Sequence, residues 1–211
     1  MVKDRKIGRQ NAVSEMKRGL ILDAARKVFE ADGLEGASLR AIAAAAGYTP
    51  AALYFHFESK EAIYAEVLRA SLASLGQAVS CAVLRTKAPA DRLQAAAMAF
   101  FRYYADNPRD LDLGFYLFRG GMKPHGLGRE RDEILNSALE AALRPIADAA
   151  QALGARPQEA ELLMVDTFAH AAGLLLLAHT GRIRMFSASA PNLMERFVKG
   201  TISTMIEKRK P

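Results

Sequence analysis

Residues 38–60, SLRAIAAAAGYTPAALYFHFESK, constrain the fold of this chain more than any other stretch. Ser38 is a good N-cap, and Leu39 with Ile42 and Ala43 gives the i, i+3, i+4 apolar spacing of a helix. Gly47 stands where a residue in the left-handed region ends that helix. Thr49 caps a second helix with Pro50 at its first position, where a missing N–H costs nothing. Leu53 and Phe57 bury one face of it and leave Pro50, Ala51, Tyr54 and Phe55 nearer the other. Ser59 caps a third helix, with Lys60 and Glu61 in its first turn. Two short helices joined by a tight glycine turn form a helix-turn-helix.

Length and composition set the frame. The chain has 211 residues, enough for one or two domains with a real core. About half the residues are apolar and a quarter charged, the balance of a soluble globular protein. One cysteine, Cys81, rules out an internal disulfide and fits a reducing, cytoplasmic setting. The first 20 residues lack the apolar stretch of a signal peptide. The longest apolar run, Met164 to Ala178, is interrupted by Asp166, Thr167 and His170, so no membrane partner is expected. Of the formal charge of +6, most lies at the start: Lys3, Arg5, Lys6, Arg9, Lys17 and Arg18 face only Asp4 and Glu15. A basic arm beside a helix-turn-helix suits contact with phosphates, through Arg5, Lys6 and Arg9 among others.

Read in order, residues 1–14 form a basic arm with no helical period, expected to be disordered. A helix follows from Glu15 to Asp32, with Leu20, Ala24 and Val28 beside Ile21, Ala25 and Phe29 as its core stripe and Gly33 as its end. From Lys60 the apolar period runs through Ile63, Val67, Leu68, Leu72, Leu75 and Val79 towards Leu84. A helix of roughly 25 residues spans about 37 Å, too long to serve a small head alone. Helices over Ala90–Ala105, Glu130–Leu153, Gln158–Thr180 and Pro191–Lys208 complete the reading. Pro145 is expected to kink the second of these. No segment alternates as a strand does. The fold class is all-α, with about nine helices: residues 15–60 form the helix-turn-helix head, and a long helix joins it to a helical domain over 61–211.

The last two helices carry wide apolar faces. Leu162, Val165, Phe168, Ala169, Ala172, Gly173 and Leu176 on one, with Phe197, Val198, Ile202 and Met205 on the other, are expected to form a four-helix interface with a second copy. An aromatic region, with Phe100, Phe101, Tyr104, Phe115, Tyr116, Phe118, Met122, Phe168 and Leu175, is the candidate pocket for a small molecule, with His170 as a polar handle. Each of these aromatics serves equally as packed core. Four scattered histidines and one cysteine make no metal set, and no nucleophile elbow, phosphate loop or dinucleotide fingerprint is present. Neither an enzyme nor a cofactor is expected.

From about Leu20 to Val67 the chain resembles the TetR/AcrR family of bacterial transcriptional regulators. The pattern A-x-x-x-F…G…S-x-x-x-I-A-x-x-A-G-x-x-x-x-x-L-Y-x-H-F-x-S-K-E-x-L/I is met by Ala25, Phe29, Ser38, Ile42, Ala43, Ala46, Gly47, Leu53, Tyr54, His56, Phe57, Ser59, Lys60, Glu61 and Ile63. It covers about a quarter of the chain; the remainder matches in architecture alone. The resemblance implies a homodimeric regulator of double-stranded DNA, a repressor released from a palindromic operator by a small-molecule effector. It places DNA contacts on Arg40, Thr49, Pro50, Ala51, Tyr54, Phe55, His56 and Lys60. Ser38 joins them as a helix N-terminus, and Arg40 suits guanine O6 and N7. Two other readings stay open: a redox-responsive regulator acting through Cys81, and a DNA-binding protein with no effector.

The chain departs from the family where the second helix of the motif begins. Pro50, Ala51 and Ala52 lack long polar side chains, and Phe55 stands where tyrosine is frequent. Ala51 and Phe55 can touch thymine methyls but cannot hydrogen-bond to base edges, which shifts the expected specificity towards Arg40, the basic arm and DNA shape.

Overall fold

A computed structural model describes residues 2–114 and 126–207, with side chains from residue 12 onward. Among the described residues the chain is all-α: α1 (Val2–Gly36), α2 (Leu39–Ala46), α3 (Pro50–Tyr54), α4 (Lys60–Leu84), α5 (Pro89–Asp106), α6 (Pro108–Gly114), α7 (Arg129–Ala152), α8 (Pro157–His179) and α9 (Ala190–Glu207), with a 3-10 turn at Arg182–Phe186 before α9. It divides into two compact units, Met1–Ala70 with Asp112–Glu133, and Ser71–Leu111 with Ile134–Pro211.

The first unit is built around α1, α2, α3 and the start of α4. Ile21, Ala24, Ala25 and Phe29 of α1 meet Ile42 and Ala43 of α2, Leu53 of α3 and Ile63, Tyr64 and Val67 of α4, all buried. Tyr64 is the hub: its ring lies edge-on to Phe29 at 4.8 Å, and its hydroxyl donates 2.7 Å to the Leu113 carbonyl. A buried aromatic with a satisfied hydroxyl contributes both area and direction to such a core.

Two expectations for α1 are corrected. The helix starts at Val2 rather than Glu15; Lys, Arg and Gln are good helix formers, so a segment without an apolar stripe still adopts the helical backbone. Leu20 is exposed, because the buried arc is centred on Ile21, Ala25 and Phe29 and Leu20 falls outside it. The end of the helix is where the sequence puts it. Gly33 has φ 69° and ψ −178°, which breaks the helical path before residues 34–36.

In the second unit α5 packs on α8 and α9, and α8 packs on α9. Phe100, Phe101, Tyr104, Ile146, Ala150, Leu175 and Met194 are buried there. Tyr103 donates to Asp110 (2.8 Å) and lies 3.1 Å from the Ser71 carbonyl, fixing α6 against α5 and α4. α6 restarts the chain immediately after Asn107, whose carbonyl accepts from the amides of Asp110 and Leu111. Pro145 sits within a single continuous α7.

By length and mean hydropathy α4 and α8 are apolar enough to cross a membrane, which corrects the reading that no segment qualifies; averaging over 18 residues outweighs scattered polar groups. α4 buries Ile63, Val67, Leu68, Leu72, Leu75 and Val79, and α8 buries Met164, Ala171, Leu174 and Leu175 while Leu162, Val165 and Leu176 stay exposed.

Candidate nucleic-acid interface

Local chemistry positions the helix-turn-helix. Ser38 Oγ accepts from the Ala41 amide at 3.1 Å and Thr49 Oγ1 from the Ala52 amide at 3.2 Å, so both hydroxyls satisfy donors that a helix start leaves open. Gly47 lies at φ 73° and ψ 27°. Around it the Tyr48 amide donates to Ala43 (2.9 Å) and the Gly47 amide to Ala44 (3.2 Å), a Schellman turn. Ser59 caps α4 through the Ala62 amide at 3.1 Å. With Ile42, Ala43 and Leu53 buried, the orientation of α3 on α2 is fixed from beneath.

Most of what α3 leaves outside is apolar. Pro50, Ala51, Tyr54 and Phe55 of the α3 region are exposed, as are Ala44 and Ala45 of α2. Tyr54 is 59% and Phe55 89% exposed, values that large apolar side chains keep when something else is meant to cover them. Arg40, Ser38 and Thr49 are exposed on the same pair of helices, and His56 is half-buried.

Lys60 stands apart from the predicted contacts. It is half-buried, and its Nζ donates 2.9 Å to the Leu34 carbonyl and 3.3 Å to the Ala37 carbonyl. The ammonium thus ties the start of α4 to the link between α1 and α2, with two of its three donors engaged inside the head. Arg18, counted in the basic arm, is likewise committed: it bonds the His56 carbonyl at 2.9 Å, pairs with Glu66 at 3.2 Å and lies 4.2 Å over the Phe57 ring. The sequence carries no signal for either role, since both partners are distant along the chain. The side chains of Arg5, Lys6 and Arg9 lie outside the described ones, although the backbone there is helical.

The second unit presents a groove of about 1140 Å³ between α8 and α9. Leu162, Leu163, Asp166, His170 and Leu174 line it from α8, and Leu193, Arg196, Phe197, Thr201 and Met205 from α9. His170 stacks on Phe197 with ring centroids 4.0 Å apart. Its Nε2 is buried without a hydrogen-bond partner among the described residues. Burial, and then the Arg196 charge, hold its pKa below the usual histidine value, partly offset by a bond to the Leu193 backbone.

Of the residues expected to meet a second copy, Leu162, Val165, Ala169, Gly173 and Leu176 are exposed, and Phe168, Ala172, Phe197 and Met205 are half-buried. Val198 and Ile202 are buried in the subunit's own core and unavailable to a partner; they share the inward face of α9 with Met194. The candidate pocket residues do not assemble as expected. Phe100, Phe101, Tyr104 and Leu175 are buried core. Phe100 packs edge-on to Tyr104 at 5.4 Å and to Phe168 at 5.8 Å. Burial, then the neighbouring Tyr103 and Asp110, push the Tyr104 hydroxyl above its ordinary pKa. His170 faces the α8–α9 groove instead. Phe115, Tyr116, Phe118 and Met122 lie outside the described residues. Cys81 is an exposed thiol on α4, and no group of three or more potential metal ligands occurs among the described residues.

Comparison with known proteins agrees with this geometry. The family profile described as "Bacterial regulatory proteins, tetR family" matches residues 21–67, the span from the buried stripe of α1 into α4. The HTH-type transcriptional repressor NicS of Pseudomonas putida is 26% identical over 203 residues, covering 96% of this chain and 94% of that protein. Among solved structures, the regulatory protein SCO4313 superposes with a TM-score of 0.74 at 20% identity, over 90% of this chain and 97% of that one. Bacillus subtilis FadR, solved with stearoyl-CoA, gives 0.66 at 14% identity, over 87% and 97%. At such identities the structural likeness shows the fold alone. The family signature lies on the capped head, and a similar repressor aligns along nearly the whole chain. Residues 21–67 match the tetR family of bacterial regulatory proteins, and the chain is a DNA-binding transcriptional regulator.

Proposed function

We propose that this protein is a cytoplasmic homodimeric repressor that holds a palindromic operator and leaves it when a small-molecule effector binds. Residues 15–60 are its DNA-reading part, and residues 61–211 supply the dimer contact and the effector site. The observation that carries the reading is the uncovered apolar face of α8, where Leu162 (65% exposed), Val165 and Leu176 stand outside the subunit's own core. A row of that kind on a soluble regulator calls for a partner, and a second copy places two identical heads on one duplex. The repressor sense is supported by likeness to NicS along nearly its full length.

The effector class follows from the residues available. In the α8–α9 groove the apolar Leu162, Leu163, Leu174 and Phe197 stand beside the charged Asp166 and Arg196, so a molecule with an apolar body and a polar end fits its chemistry. α4 is continuous from Lys60 to Leu84 and contributes residues to both units, which makes it the element through which the effector acts. The effector shifts the operator-bound state only by binding the two states with different affinity.

Sedimentation of the purified chain, with and without a selected duplex, tests this: a dimer that binds one duplex is expected. Mass spectrometry of co-purified small molecules, followed by titration of the best candidate into the complex, tests release. A monomer on DNA contradicts the dimer, and a set of bound molecules that leave DNA affinity unchanged contradicts the effector.

A further inference from the structure

The recognition helix α3 and its flanks lack the side chains that make bidentate hydrogen bonds to base edges. Between Arg40 and Lys60 the sequence holds no Arg, Lys, Asn or Gln, the side chains that make bidentate contacts to guanine or adenine in the major groove. Its one acid there, Glu58, is paired with Arg131 within the first unit. The Thr49 hydroxyl oxygen is engaged in capping α3, and Lys60 is tied to backbone carbonyls. What α3 presents is two adjacent i, i+4 rows: Pro50 with Tyr54, and Ala51 with Phe55, all exposed. Their polar content is a single phenol.

The major groove of B-DNA offers one apolar group to such a face, the C5-methyl of thymine. Phe55, 89% exposed at the end of α3, has no hydrogen-bonding atom and gains only by covering apolar surface. We infer that α3 reads its operator through pyrimidine C5-methyl groups, with Phe55 and Ala51 as the specificity-determining residues, while Arg40 supplies the single hydrogen-bonded base contact. The same chemistry makes 5-methylcytosine an acceptable substitute for thymine at those positions, because its methyl occupies the same place in the groove. This inference rests on the DNA-binding reading.

The test is made on the duplex. A site is first selected from a randomised library with the full-length protein. Each thymine of a half-site is then replaced by uracil, which removes the methyl and leaves pairing intact. At two or more positions per half-site the affinity is expected to fall about fourfold, the factor carried by burying one methyl-sized group. At the position beneath Phe55 the loss is expected to vanish in Phe55→Ala. That side chain is almost fully exposed, so the variant keeps its fold, which a thermal melt checks. Placing 5-methylcytosine·G there should bind more tightly than unmodified C·G. Uracil substitution that changes nothing at any position overturns the inference, and so does an equal loss in Phe55→Ala and the native chain. Loss confined to guanine N7 replacement by 7-deazaguanine assigns the readout to hydrogen bonds instead. Failure to enrich any duplex removes the DNA-binding reading itself.

Discussion

At the scale of single residues, the head is held by side chains whose type suggests another role. Lys60 sits where a positive charge at a helix start invites phosphate, yet its ammonium bridges two carbonyls of the α1–α2 link. Lys60→Met keeps the aliphatic stem and removes the donors. It should lower the stability of the protein by about 1–2 kcal/mol in urea denaturation, with the salt dependence of DNA binding unchanged. A phosphate contact would instead reduce the salt slope by about one. His170 makes a second residue-scale case. Its folded pKa is lowered by burial and Arg196, so the folded protein resists a proton that the unfolded chain accepts. Stability is therefore expected to fall as pH drops below the ordinary histidine value of about 6.5, down to the lowered folded value, and to level off below it. Denaturation at fixed protein concentration near about pH 7.5 and about pH 5.5 checks this. The native chain should lose more than His170→Gln, and equal losses would contradict the assignment.

At the scale of elements, local chemistry decides most of what forms. The sequence shows Ser38, Thr49 and Ser59 as caps, Gly47 as the turn and Pro50 as a first helical residue, and each is found in that role. These signals are legible because cap and turn act within three or four residues of themselves. Gly47 is the sharpest of them: a Cβ added there meets nothing within 4 Å, so any cost of substitution is backbone strain alone. Gly47→Ala should lower stability by about 1–2 kcal/mol, seen as a reduced melting temperature with DNA specificity retained. Long-range choices are less legible. The start of α1 carries no apolar stripe to announce it, and its side chains had only helix propensity to offer. On α9 the apolar stripe is broad, and only packing separates the inward Met194, Val198 and Ile202 from Phe197 and Met205, which line the groove. The aromatics of α5 illustrate the same limit, since a pocket wall and a packed core use the same residue types. The bonds of Lys60 and Arg18 join residues more than twenty positions apart and leave no pattern in sequence.

At the scale of the whole molecule, the proposed function depends on two copies presenting two heads. The exposed row of α8, with Leu162, Val165 and Leu176, lies outside the buried core of one subunit. Leu162→Glu places a charge on that row without touching the buried core. It should convert the dimer to monomer in sedimentation and weaken operator binding by orders of magnitude, while the melting of the head changes little. A variant that stays dimeric would move the interface elsewhere. The measurement that bears most directly on the central claim is selection of duplexes by the purified full-length protein, followed by footprinting of the enriched site. A DNA-binding homodimer with this head predicts an inverted repeat, its half-site centres about one helical turn apart, roughly 34–36 Å, or a multiple of that. Enrichment of nothing, or of a single unrepeated half-site bound by one copy, would contradict it.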